Sequence, residues 1–234
     1  MGTRRTQFAP GEWFHCYTRG VDKRIVFMDE SDGTRFQALL YACNNIEPIH
    51  VSDFVGRRKR LNPANVFSQS RKKILVDIAA YCLMPNHPHI LMREIDYGGI
   101  STFMQKLGTA YTMYFNKKYE RTGALFSGPF KAVHVENDLH FRRLINYIHA
   151  NPAEMYEPGW KRGIIKNKAR LKRELNAYVF SSLMDYLPEE RLQNAIISRD
   201  AAMELLDFTP SFNTILKDAR DFYRLDQEHM DSPT

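Results

Sequence analysis

The chain has 234 residues, of which 44% are hydrophobic and 26% charged, and it carries a net charge of +6. This is ordinary globular composition, enough for one large domain or for one domain plus an appendage. No apolar run reaches the roughly 18 residues of a membrane helix, and the basic opening MGTRRTQFAPGEW lacks the apolar stretch of a signal peptide, so a cytoplasmic protein without membrane contact is expected.

The elements follow in chain order. Glu12–Gly20, EWFHCYTRG, is aromatic-rich and ends in glycine, as a first strand would. Ser31–Ile46 opens with a cap-like serine and places Phe36, Leu39, Leu40 and Cys43 at helical spacing. The polar stretch VSDFVGRRKRLNPANVFSQSRK, broken by Pro63, reads as a long loop. Ile74–Met84 is a strand, Pro85-Asn86 turns it, and His87–Ile95 returns as its hairpin partner. Gly98–Gly123 is a long helix with Phe103, Leu107, Ala110 and Tyr114 on one side. A short strand follows around Phe130–Val135. A helix then runs from Asp138, read as its cap, to Asn151, where Pro152 stops it. Strand, helix, strand, strand, helix, strand, helix is a split βαβ order. It predicts an α+β fold: a ferredoxin-like antiparallel sheet with helices on one face, plus a C-terminal helical appendage.

Cys16, Cys43 and Cys82 are far apart and odd in number, so buried free thiols are expected and neither a disulfide framework nor a zinc ribbon. The charge is uneven. From Tyr178 onward 11 Asp/Glu stand against 5 Lys/Arg, a net of −6, so the preceding part carries +12. Basic residues cluster in GRRKR (56–60), SRKK (70–73) and KRGIIKNKARLKREL (161–175). One such run is ordinary solvated surface; three in one part of a chain point to a polyanionic partner.

The hairpin YCLMPNHPHILM carries the sharpest chemical signal. Alternate strand residues share a face, so His87 and His89 project together, and two imidazoles on one face can hold one divalent cation. They can equally be two surface or capped histidines. No H-x-x-x-H surrounds the pair, which speaks against a hydrolytic zinc site. In the helix after it, Tyr147 and Asn151 are four apart and share a side. The amide oxygen of Asn151 suits a hard cation, and Tyr147 could be a nucleophile or pack with Leu144 and Ile148. His149 points away from Tyr147 and reads as a surface or packing residue.

The segments PGEWFHCYTRG, YCLMPNHPHILM, GALFSGPFKAVHV, LINYIHANPAEM and YVFSSLMDYL, taken together, resemble the single-tyrosine HUH transposases, in particular the REP-associated tyrosine transposases. The resemblance runs from Pro10 to Leu187. It implies His87, His89 and Asn151 as ligands of Mg²⁺ or Mn²⁺, and Tyr147 as the nucleophile that takes a 5′ phosphate and frees a 3′ hydroxyl. It implies single-stranded or hairpin DNA as partner, with Arg19, Arg57, Arg58, Arg60, Lys131 and Lys161 as candidate DNA contacts and Lys131 nearest the scissile strand. The chain departs from the pattern at Pro88, where a larger aliphatic is usual, and in having Asn151, which reaches less far than Gln. The implied division is a catalytic domain over 10–155, a basic connecting segment over 156–177 and an acidic helical extension over 178–234. A monomer is expected, with a dimer as the alternative. Two competing readings stand beside the enzyme: a DNA- or RNA-binding regulator on the same fold, and a replication initiator or relaxase with the same histidine pair.

Overall fold

The computed structural model describes residues 7–57, 60–206 and 210–231, with side chains described as far as residue 224. Its strands are β1 (Trp13–Tyr17), β2 (Val76–Met84), β3 (His87–Glu94) and β4 (Lys131–His134). Its helices are α1 (Glu30–Cys43), α2 (Pro63–Phe67), α3 (Gly99–Lys118), α4 (Asp138–Ala150), α5 (Ala153–Tyr156), α6 (Lys168–Asn176), α7 (Arg199–Met203) and α8 (Phe212–Asp231). The sheet order is β2-β3-β1-β4 and every pairing is antiparallel, which is the ferredoxin-like arrangement predicted from the element order.

Alternation along the strands makes two cores. Phe14, Cys16, Ile78, Tyr81, Ile90 and Met92 face α1 and α3, where Phe36, Leu40, Phe103 and Tyr111 cover them. Trp13, Ala80, Cys82, Met84 and Leu91 face the other way, onto Phe141, Leu144, Ile145 and Ile148 of α4. The crossover helices thus share one face, and α4 covers much of the second. A bulge between Ile78 and Ala80 places Ala79 and Ala80 both on the α4 side. The bulge sets which side of the sheet Tyr81 and Cys82 occupy, at the strand end next to the histidines.

The helix ends differ from the sequence expectation in instructive ways. The first-helix cap is Asp29, two residues before Ser31: its carboxylate accepts the Asp32 N–H, and Asp32 returns the bond in a capping box. Asn137, not Asp138, caps α4 by accepting the His140 N–H. The cap of α3 comes from outside the helix. The buried Glu94 carboxylate accepts N–H bonds from Gly98, Gly99 and Ile100 at 2.6–3.1 Å. Gly98 adopts φ 84, and a Cβ on Gly99 would lie 2.4 Å from the Leu75 carbonyl oxygen, so this turn requires both glycines. The stretch expected to be a long loop is partly ordered as a tight Val55–Leu61 bridge followed by α2.

The C-terminal part closes the structure. Ser181 bridges Cys82 of the outer strand, and the Phe180 carbonyl accepts the Leu83 N–H. The Tyr178 and Tyr186 hydroxyls donate to the carbonyls of Leu83 and Ala79. The β2 edge is therefore covered. Helix α8 lies along α4: Asn146 donates to Asp218, and Ile215, Leu216 and Ala219 join Ala150, Ala153 and Trp160 in a third apolar cluster. Cys16, Cys43 and Cys82 are buried and form no disulfide, as predicted.

Candidate active site

Register places the candidate side chains of the strands on the α4 face. Tyr17 of β1 is directly opposite His89 of β3 on one side and Lys131 of β4 on the other. Directly paired residues share a face, so His89, Tyr17 and Lys131 form a row across the sheet. His87 lies two residues before His89 on the same face, with the two rings 4.7 Å apart between centroids. Pro88 between them faces the α3 side, beside Met104, Phe126 and Phe130. Its missing N–H falls near the strand start, and the alternation that pairs the histidines survives.

Each ring nitrogen has a distinct surrounding. The Nδ1 of His87 is 2.5 Å from the Asn86 Oδ1, an oxygen that only accepts, so the proton of His87 sits on Nδ1 and Nε2 carries the lone pair. The Nδ1 of His89 is 2.8 Å from the Nε2 of His15, and the His89 Nε2 is buried without a hydrogen-bond partner. Both rings are kept neutral. Burial pushes the His87 imidazole down to about 4, helped by the nearby positive charges of Arg19 and Lys161. Burial does the same to His89, well below the usual range, reinforced by His15, His87 and Lys161. A neutral imidazole with its lone pair free is the form that binds a metal.

Helix α4 delivers the tyrosine. Tyr147 is half-buried, with its ring edge-on to His89 at 6.0 Å and tilted against Phe222 of α8 at 4.8 Å. Asn151 is 4% exposed and follows the last residue of α4. Its amide nitrogen donates to the Tyr147 carbonyl at 3.0 Å, which leaves the amide oxygen as the group open to a cation. Among the described residues no hydrogen bond links Asn151 to either histidine, and no three His, Cys, Asp or Glu side chains gather as a metal cage. The candidate donors are two imidazole nitrogens and one amide oxygen, a set without carboxylates. It suits a hard cation that keeps open positions for substrate oxygens.

The predicted basic residues separate into two groups. Arg19 is exposed and close enough to His87 to act on its protonation, and its carbonyl accepts from both N–H and hydroxyl of Ser127. Lys131 ends the row through Tyr17. Lys161 influences both histidines, pairs with Glu154 at 3.1 Å and lies 4.8 Å from the Tyr223 ring of α8. Arg57 and Arg60 are exposed beside the Val55–Leu61 bridge, and Phe54 and Leu61 pack against the core on the α1 side of the sheet. Arg58 lies outside the described residues. His149 is buried and hydrogen-bonded to the Ser182 hydroxyl at 2.9 Å, a packing residue.

Residues 53–151 match the family model described as IS200-like transposase. The match contains the whole histidine hairpin, α3, β4 and α4. A solved REP-associated tyrosine transposase bound to a REP hairpin is similar over 82% of this chain and 90% of that one, at 13% identity and a TM-score of 0.49. No curated protein matches.

The matched segment alone does not hold all the side chains around the two histidines. His15 and Tyr17 come from β1, upstream of the match, and Lys161 and Phe222 from downstream. Reading the sequence singled out neither His15 nor Phe222. The signal for His15 was available in the alternation of EWFHCYTRG, which puts it on one face with Trp13 and Tyr17. For Phe222 there was none, because α8 meets α4 only through tertiary packing.

Proposed function

We propose that the chain cuts and rejoins single-stranded, hairpin-associated DNA through a covalent 5′-phosphotyrosine at Tyr147. The observation that carries this reading is the adjacent pair of His87 and His89 rings, with the His89 Nε2 buried and unpartnered and the Tyr147 ring beside it. His87, His89 and Asn151 would hold Mg²⁺ or Mn²⁺, which when bound lowers the cost of charge on the phosphate oxygens and the attacking phenol.

The chain's own residues do the rest. Tyr147 supplies the oxygen that attacks phosphorus. The P–O bond to the 3′ side breaks, leaving a free 3′ hydroxyl and the phosphate on the phenol oxygen. Reversal by a 3′ hydroxyl rejoins the strand with no external energy source. A phenol has an ordinary pKa of about 10 and needs this environment to become a nucleophile. Packing against Phe222 limits the places the ring can occupy, which favours a near-attack arrangement. Arg19, Lys131 and Lys161 surround the row and would neutralise phosphates of the entering strand. Arg57, Arg58 and Arg60 would contact more distant duplex or hairpin backbone.

The experiment is strand cleavage of a labelled hairpin with single-stranded flanks, with chelator and with Mg²⁺ or Mn²⁺ restored. His87→Ala and His89→Ala should fold and bind DNA yet lose cleavage. Either variant cutting at the wild-type rate with Mg²⁺ would remove that histidine from the ligand set.

A further inference from the structure

The side chain of His15 is buried on the face of the sheet that carries His89. It lies opposite Leu91, one diagonal step from His89. Diagonal neighbours on one face are within reach of ring side chains. The two rings lie nearly parallel, 18° apart, with centroids at 5.0 Å, and the Nε2 of His15 meets the Nδ1 of His89 at 2.8 Å. Tyr17 closes the other side of both rings, at 5.1 Å from His15 and 5.9 Å from His89.

One proton lies between the two nitrogens, and there are two ways to place it. If His15 donates, the His89 proton must sit on Nε2, where it would be a buried N–H with no acceptor. Orphaned buried donors are rare because they lose their water without replacement. If His89 donates, its Nε2 bears a lone pair, directed into the site beside His87. The second arrangement moves the remaining N–H to the Nδ1 of His15, which is not among the buried atoms that lack a partner, and it gives His89 the tautomer that the Asn86 contact gives His87.

We propose that His15 is a positioning residue: by accepting the Nδ1 proton of His89 it locks that ring's tautomer and orientation, so that Nε2 is presented to the divalent cation. This rests on the reading of His87 and His89 as cation ligands. Histidine ligands in general need such a partner on the far nitrogen, and losing it typically weakens metal affinity about 10–100-fold. A neutral imidazole partner, in place of a carboxylate, raises the basicity of the ligand less and adds no negative charge beside the DNA phosphates.

The test uses the full chain without DNA, so that turnover plays no part. Mn²⁺ binding is followed by electron paramagnetic resonance, and the His89 tautomer by ¹⁵N chemical shifts of the metal-free protein. Wild type should carry the His89 proton on Nδ1. His15→Phe keeps a ring and removes the acceptor; it should weaken Mn²⁺ binding by about 10–100-fold and give a mixed His89 tautomer. His15→Gln, whose amide oxygen can accept, should recover much of both. A folded His15→Phe with wild-type affinity or an unchanged tautomer would overturn the proposal. So would a wild-type His89 protonated on Nε2, a result that needs no variant to fold. Absence of Mn²⁺ binding by wild type would instead refute the cation reading of the site, while the tautomer measurement still decides the part played by His15.

Discussion

At the scale of single residues, the candidate site holds a polar atom that is buried without a partner. It is the Nε2 of His89, in a neutral ring. Such an atom costs stability unless something binds it. His89→Leu should therefore leave the protein as stable as wild type or more so, because an apolar side chain of similar bulk fills the same space. Chemical unfolding without metal would check this. A loss above about 2 kcal/mol would mean that the bond to His15 contributes to the fold more than the orphaned nitrogen costs. The placement of these residues was legible, since strand alternation alone pairs His87 with His89, and helical spacing pairs Tyr147 with Asn151. Alternation puts His15 on one face with Trp13 and Tyr17, but does not say which residue of another strand it meets. Its meaning comes from the register of β1 on β3, which no local rule supplies.

At the scale of elements, the caps that orient the active helices can be tested separately from catalysis. Glu94 holds the start of α3 through three buried N–H groups. Glu94→Ala leaves them without partners and should cost about 3 kcal/mol in urea unfolding. A cost under about 1 kcal/mol would show that water replaces the carboxylate. Gly99→Ala should also destabilise, by about 1–3 kcal/mol, because its Cβ would press on the Leu75 carbonyl. Asp29 at the start of α1 gives a pH signature. Its partial burial opposes ionisation, but bonds from Lys118, Ser31 and the Asp32 amide outweigh this and hold the carboxyl down at about 2. A carboxyl depressed on folding stabilises above its ordinary value near 3.8 and loses that contribution as pH falls towards 2. Stability of wild type should accordingly drop more steeply than that of Asp29→Asn between pH 4 and 2; parallel curves would contradict the assignment. The elements themselves were readable from periodicity, with ends shifted by a few residues. The shifts have a cause: Asp29, Asn137 and Glu94 are the true caps, and Glu94 acts from a neighbouring strand, outside any window along the helix.

At the scale of the whole molecule, the chain joins a basic body to an acidic C-terminal part that packs on the helix bearing Tyr147. The sequence showed the charge split but not its placement, because the contact of Phe222 with Tyr147 spans 75 positions. With several cationic side chains around one face, DNA affinity should fall by orders of magnitude between about 50 and 200 mM salt through counterion release. A flat dependence in filter binding would reduce the basic runs to a solubility surface. The central claim is more specific than binding, and Tyr147→Phe isolates it, since the ring, its contacts with His89 and Phe222 and the helix all remain. Wild type and Tyr147→Phe are incubated with end-labelled hairpin DNA carrying single-stranded flanks and Mn²⁺, then run side by side on a denaturing gel. A protein–DNA adduct should form with wild type and be absent from the mutant, with hairpin binding equal in both. An adduct that persists in Tyr147→Phe would contradict the account.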